Sequence, residues 1–329
     1  TNNSNVGLTP IMVCHDQEPL SWIDNHNNNG CTFRQSLPIT QKYKHFLLLH
    51  SEQKSPDVEL FSNDRIFPVY YWAHAIIARD WFRYAEVDPA LTNPKSVSKD
   101  FLVYQRAWTN TREYRLKFTE LMLNYNLKDH CLTRFQPIDS DINYCDYKFI
   151  NPQFQINRHD FETQLPLNDF DSNSSADYQN QDYLQTNIEV VLETLFDDKR
   201  WHLTEKTLRP IACGQPFMLA STAGSLEYLR SYGFKSFAPW INECYDQETD
   251  PLQRLEKILQ EMQRISQFDH NQKTLLMQQI YAIAKHNQIH FFSKQFYDQI
   301  VGEFSQNLST ALTNWNQLSQ RRLRGRDEL

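Results

Sequence analysis

One segment, residues 193–214, holds the densest set of residue types that could bind a phosphorylated ligand. An apolar run ends at Glu193, a polar loop follows, and a helix is predicted to begin with Thr204 as its N-cap. The first turn of a helix presents unpaired N–H groups and a partial positive charge, which suit a diphosphate. Lys206 would add a mobile cation for phosphate oxygens, and Glu205 could accept hydrogen bonds from ribose hydroxyls. The alternative is a capped surface helix whose Glu205 and Lys206 are solvated.

A wider pattern of short motifs surrounds this segment. In one-letter code it reads E-T, T-E-K-x-x-x-P, G-x-P-F, G-S-L, G-F-K-x-F and E-x-Y-D. These motifs occupy residues 193–194, 204–210, 214–217, 224–226, 233–237 and 243–246. The pattern resembles the donor-binding signature of fucosyltransferase-like enzymes of the GT-B class. It is even more similar to a group of phage and bacterial proteins regarded as glycosyltransferases.

This resemblance implies a fold and an activity. The fold is α/β and GT-B-like, with two Rossmann-like domains facing a cleft and a helical carboxyl-terminal segment. The activity is transfer of a hexose or pentose from a nucleoside-diphosphate sugar to an acceptor hydroxyl. The transfer inverts the anomeric centre and needs no bound metal or other cofactor. The implied donor-binding residues in this region are Glu193, Thr204, Glu205, Lys206 and Arg209.

A second segment, residues 104–121, is similar to the first strand-to-helix step of the family's carboxyl-terminal domain. There an arginine contacts the donor phosphates. Arg115 fits the family spacing best, and Arg106 and Arg112 are the alternatives. A guanidinium suits a diphosphate because its planar fork can bind two oxygens at once. Solvated arginines are the other interpretation of this segment.

A third candidate follows the predicted strand at residues 11–14. The loop after it reads His-Asp-Gln-Glu-Pro-Leu, and the phage group carries a similar D-Q-E-P stretch. In the fucosyltransferase relatives the amino-terminal domain supplies a carboxylate that deprotonates the acceptor. The resemblance therefore offers Asp16 or Glu18 as the general base. Alternatively, these acids bond local backbone N–H groups in a turn.

The elements that would position these residues alternate along the chain. Strands are predicted at residues 11–14, 45–50, 101–104, 188–192 and 216–220. Helices are predicted at 111–124, 204–212, 225–231 and 290–320, and residues 250–286 form either one long helix or two. Such alternation indicates an α/β fold with parallel sheets. Residues 69–83 could be strand or helix, because periodicity does not decide between them. We expect an acceptor-side domain over residues 1–95, a linker over 88–98 and a donor domain over 99–329. The last helix is expected to cross back onto the first domain.

Composition narrows the class of protein. Hydrophobic residues make up 40% of the chain, enough for a sizeable core. Only seven glycines occur, which excludes a glycine-rich phosphate loop. Three of them, Gly214, Gly224 and Gly233, lie close together and indicate tight turns or a close approach of the backbone to a ligand. No apolar run is long enough to span a membrane. The six cysteines form no C-x-x-C pair, which favours the cytoplasm (the host's, for a phage protein) and argues against zinc.

The acceptor stays open at this stage. The phage relatives suggest a modified DNA base as the acceptor, and a glycan or a protein side chain is an equal alternative. The net charge of −7 counts against a protein that binds duplex DNA. A non-catalytic nucleotide-sugar or glycan-binding module is the alternative to an enzyme, and a nucleic-acid-binding protein is a third class. The donor and the oligomeric state are not defined by the sequence.

Overall fold

The structure, a computed structural model, describes residues 11–22, 45–62, 66–92, 95–166 and 176–324. The chain divides into two compact units. The first comprises residues 1–76 and 298–329, and the second comprises residues 77–297. The Asn-rich sequence of residues 25–30 predicts an exposed turn, which lies outside the described residues.

The first unit contains a parallel sheet of the strands β1 (Ile11–Cys14), β2 (Phe46–His50) and β3 (Ile66–Tyr70), in that order. All five residues of β2 are buried, as expected for a central strand with both faces covered. Helix α1 (Pro56–Phe61) precedes β3, and α2 (Ala73–Trp81) follows it. Because the strands are parallel, their carboxyl ends meet at one edge.

The second unit is built on a parallel sheet of four strands. Its strands are β4 (Lys99–Gln105), β5 (Cys131–Phe135), β8 (Thr186–Leu192) and β9 (Phe217–Ala220), with the hairpin β6 (Ile138–Asp139) and β7 (Ile142–Asn143) inserted. The order is β5-β4-β8-β9, so the chain moves first to one side of β4 and then to the other. The strand order therefore reverses between β4 and β8, where doubly wound sheets bind their ligands.

Helices connect these strands and extend the second unit. They are α3 (Pro89–Thr92), α4 (Tyr114–Asn124), α5 (Phe161–Gln164), α6 (Asn180–Gln185), α7 (Glu205–Ala212), α8 (Ser225–Ser231), α9 (Pro251–Ser266) and α10 (His270–Phe292). The predicted long helical stretch is thus two helices, separated by a break at which Asp269 caps α10.

The final helix, α11 (Lys294–Arg324), contributes to the core of the first unit. Its residues Phe304, Leu308, Leu312 and Trp315 pack against a buried cluster from β2 and β3. In the part of the chain that the structure describes, no helix combines the length and apolarity needed to cross a membrane.

The predicted α/β class with parallel sheets and a helical carboxyl-terminal segment is confirmed. In the stretch 69–83, which the sequence left undecided, the first two residues are the end of β3 and residues 73–81 form α2. Part of the predicted linker is helical, because Asp88 accepts a hydrogen bond from the N–H of Ala90 at 2.8 Å and starts α3. Residues 165–182 are rich in Asn, Asp and Ser, which predicts a surface loop. This prediction is wrong at its end, where α6 begins, and residues 167–175 lie outside the described part.

Candidate functional site

The segments 104–121 and 193–214, which the sequence singled out, meet at the strand-order reversal. Arg106 directly follows β4, and Glu193 directly follows β8, its neighbour in the sheet. Helix α4 starts from the first loop and α7 from the second. Residues that lie far apart in sequence are thereby brought to one edge of the sheet.

The carboxylate of Glu193 is fully buried at this edge. It accepts hydrogen bonds from the N and Oγ1 atoms of Thr204 at 3.0 and 2.7 Å, and from those of Thr207 at 3.2 and 2.5 Å. The N–H of Thr194 donates to it as well, at 3.1 Å. The negative charge therefore lies against the positive end of α7 and fixes the start of that helix. Both carboxylate oxygens of Glu193 are thus engaged by residues of the protein itself.

The Thr-Glu-Lys sequence begins α7 as predicted. The Oγ1 of Thr204 accepts a hydrogen bond from the N–H of Lys206 at 3.3 Å, which confirms Thr204 as the N-cap. The Nζ of Lys206 lies 2.7 Å from Oε1 of Glu205, and the side chains are 24% and 9% exposed. Lys206 is therefore the solvent-accessible cation of the motif, and Glu205 lies beside it.

Arg115 joins the two strand ends from inside the protein. Its guanidinium donates to the carbonyl oxygens of Ala107 at 2.5 Å, Leu192 at 2.6 Å and Glu193 at 2.9 Å. The residue is only 3% exposed. Arg115 thus clamps the loop after β4 to the end of β8 through its two terminal nitrogens, whereas its buried Nε makes no hydrogen bond within the described part of the chain.

Arg106 and Arg112 are half-buried at the same edge. Burial lowers the pKa of Arg106, Glu205 raises it, and the nearby Arg115 and Arg209 lower it further. Arg106 thus lies near two other guanidiniums, which repel it, and near the carboxylates of Glu205 and Asp139, which attract it. An anion bound here would relieve this repulsion, since arginine stays protonated in proteins.

Arg209 lies in the packing between α7 and the sheet. Its Nη2 is 2.6 Å from Oε1 of Glu189, its Nε donates to the Tyr183 hydroxyl at 3.1 Å, and its guanidinium lies 4.4 Å from the centre of the Tyr104 ring. Burial by itself would lower the pKa of Arg209, but the Glu189 carboxylate together with Tyr183 and Tyr104 outweighs it, and the pKa lies well above the usual value. A ligand contact would require breaking a buried ion pair, so Arg209 serves to hold α7 on the sheet.

Asp139, which the sequence did not single out, anchors the loop that follows Arg106. Its Oδ2 accepts hydrogen bonds from the N–H groups of Trp108 and Thr109, both at 2.7 Å. Burial would raise the pKa of Asp139, but the hydrogen bonds from Thr109 and Trp108 outweigh it and the pKa lies below the usual value. A lone aspartate in a hairpin gives no signal of this role in the sequence.

We expect Asp139→Asn to lower the free energy of unfolding of the second unit by about 1–2 kcal/mol at pH 7. The folded-state pKa lies below the unfolded one, so the carboxylate stabilises the fold above a pH of about 4 and loses that effect as the pH falls through the folded-state value. Urea titrations at several pH values should show the gap to wild type closing in acid. The exposed Asp141→Asn in the same hairpin is the control, and an equal loss in both variants would contradict the assignment.

The glycines of the motif take the backbone conformations that the sequence suggested. Gly224 has a φ of 81°, and its N–H donates to the carbonyl of Asp246 at 2.7 Å. A Cβ at this position would lie 3.1 Å from the Trp201 ring. The carboxylate of Asp246 accepts from the N–H of Leu226 at 3.0 Å, so the acidic end of the motif caps α8.

The first unit places Asp16 and Glu18 differently. The hydroxyl of Tyr71 donates to Oδ2 of the half-buried Asp16, whereas Glu18 is exposed. Burial and then the contact with Asp16 raise the pKa of Tyr71, so the phenol stays protonated and continues to donate. Asp16 is therefore oriented at the carboxyl edge of the first sheet, and Tyr71 is the partner that sequence reasoning missed.

Within the described ranges, no group of three or more His, Cys, Asp or Glu side chains could hold a metal ion. Comparisons of the chain with protein-family models, with curated proteins and with solved structures find no match.

Proposed function

We propose that this chain is a glycosyltransferase of the GT-B class. It would move a sugar from a nucleoside-diphosphate sugar to an acceptor hydroxyl, with inversion and without a bound metal. The observation that carries the proposal is the meeting of the Thr-Glu-Lys helix start with the arginine segment where the strand order of the second sheet reverses. Open α/β sheets bind nucleotides at such a point.

In this proposal Lys206, Arg106 and Arg112 bind the diphosphate, and Glu205 accepts hydrogen bonds from the ribose. The grouping of Arg106 with the guanidiniums of Arg115 and Arg209 supports the first assignment, and the low exposure of Glu205 beside Lys206 suits the second. Glu193 and Arg115 act indirectly, since they fix the loops that carry these groups.

The proposed reaction needs a base and a stabilised leaving group. Asp16 would remove the proton of the acceptor hydroxyl, whose oxygen then attacks the anomeric carbon from the face opposite the nucleotide. The bond to the diphosphate oxygen breaks, and the departing nucleoside diphosphate takes the negative charge. Fixed cations that meet this charge as it develops lower the barrier, which is the role of Lys206 and the two arginines.

Lys206→Met is expected to weaken nucleoside-diphosphate binding by about 10–100-fold, because a hydrogen bond to a charged group contributes roughly 1.5–3 kcal/mol. Thermal shifts with UDP, GDP, CMP and dTDP sugars identify the nucleotide, and calorimetry with that nucleotide measures the loss. Lys199→Met, in the exposed loop before α7, is the matched control. Equal affinity in wild type and Lys206→Met would remove Lys206 from the site.

The alternative is a non-catalytic module that binds the nucleotide sugar at the same residues. The fixed Asp16–Tyr71 pair is the observation that favours the enzyme, because a binding module has no need of an oriented carboxylate at the edge of the first sheet. Assays of hydrolysis and transfer over a donor panel separate the two. Nucleotide binding without turnover of any donor would favour the module.

A further inference from the structure

A groove of about 900 Å³ lies within the first unit, lined by residues of α1, the edge strand β3 and α11. This volume is in the range of protein sites for small ligands, roughly 300–1,000 Å³. The groove includes His50 and Tyr70, the last residues of β2 and β3. It therefore reaches the edge of the sheet at which α/β proteins bind ligands.

The walls of the groove are rich in uncharged polar side chains. Helix α11 contributes the amides of Asn307, Asn314 and Gln317, and the start of α1 contributes the hydroxyl of Ser55. The Nδ2 of Asn307 donates to the carbonyl oxygen of Tyr70 at 2.8 Å, which holds this amide in place. Amides and hydroxyls both donate and accept hydrogen bonds. Sugar hydroxyls require both capacities.

The edge strand adds an apolar surface to the same groove. Ile66, Phe67, Pro68 and Tyr70 line it from β3. An aromatic ring with a polar tip offers an apolar face together with a hydrogen-bonding group. The C–H faces of a pyranose pack on such a surface while its hydroxyls reach the amides opposite.

The charges of the groove discriminate between acceptors. Lys54 is its one lysine, and Glu52 and Glu59 supply two carboxylates. Duplex DNA carries one negative charge per about 1.7 Å of its axis and is bound through clustered lysines and arginines. The groove has the opposite balance, which disfavours a nucleic acid and is compatible with a neutral ligand.

We propose that this groove binds a neutral saccharide and that the acceptor is an uncharged glycan, an inference that rests on the proposed sugar transfer. Saturation-transfer NMR on the full chain, with methyl glycosides of glucose, galactose, mannose and N-acetylglucosamine, tests it directly. We expect saturation transfer to at least one glycoside in the wild type. The signal should be lost in Asn314→Trp, which fills the groove, and retained in Ser309→Trp. Ser309 is exposed on the same helix and does not line the groove.

The inference is overturned if no glycoside shows saturation transfer, or if the saturation-transfer signal persists in Asn314→Trp. It is also overturned if the chain binds a duplex containing hydroxymethylcytosine in fluorescence anisotropy and Asn314→Trp abolishes that binding. Nucleotide thermal shifts distinguish this failure from that of the proposed function. Stabilisation by a nucleotide without glycoside binding refutes the groove alone, whereas glycoside binding without any nucleotide effect refutes the transferase alone.

Discussion

Asp16→Asn is expected to lower kcat by about 10²–10⁴-fold, the range that a general base contributes. The amide keeps the size of the side chain and can still accept a hydrogen bond from Tyr71, but it cannot take a proton from the acceptor. Nucleotide affinity should not change, because the proposed donor residues belong to the second unit. Initial rates with a matched donor and acceptor, together with calorimetry of nucleotide binding, measure the two effects separately.

Glu18→Gln is the matched control for this experiment. Glu18 lies two positions along the same loop and is exposed, whereas Asp16 is half-buried and held by the Tyr71 hydroxyl. We expect a near-wild-type rate in Glu18→Gln and an intermediate rate in Tyr71→Phe, which keeps the base and loses its orientation. A large loss in Glu18→Gln with a small one in Asp16→Asn would reverse the assignment of the base.

The strands β1, β2, β4, β8 and β9 were predictable because they are short apolar runs that need no distant partner to be recognised. β2 and β8 are buried along their whole length, and their sequences FLLLH and TNIEVVL are accordingly rich in leucine and β-branched residues. Helix α7 was predictable for a similar reason, since Thr204 and the following Glu-Lys pair are a local start signal. These elements are encoded in a few adjacent residues.

β5 shows what local patterns cannot encode. Its sequence CLTRF alternates between buried and half-buried positions, but Arg134 makes it look like a loop. The charge is tolerated because Nη2 of Arg134 lies 2.7 Å from Oδ1 of Asp182, which is 48 residues away along the chain. A strand that depends on such a partner cannot be recognised from its own residues.

The candidate site has the same limitation at a finer scale. The sequence identified charged residues of the right type near two strand ends, but it could not tell which ones face solvent. Arg115 is occupied by three carbonyl groups, and Arg209 by a glutamate twenty positions before it. Lys206, with 24% of its side chain exposed, is left as a cation that solvent can reach. The direction in which a charged side chain points depends on long-range contacts, and these contacts exist only in the folded chain.

Glu193 connects the end of β8 to the start of α7. Glu193→Ala is expected to lower the free energy of unfolding of the second unit by about 2–5 kcal/mol, because each buried donor left without an acceptor costs roughly 1–3 kcal/mol. The N–H groups of Thr204 and Thr207 would lose their acceptor, and the positive end of α7 would lose its counter-charge. Glu193→Gln should cost less, since one amide oxygen still accepts.

Urea unfolding gives the stability change, and hydrogen exchange of the peptide covering residues 200–212 reports on α7 itself. Glu227→Ala is the control, because this glutamate is exposed on α8 in the same unit and should change the stability by less than about 0.5 kcal/mol. If Glu193 positions the helix start, exchange at the first turn of α7 accelerates and nucleotide affinity falls even at temperatures where the variant stays folded. A variant with normal exchange and weakened nucleotide binding would instead mean that Glu193 contacts the donor itself.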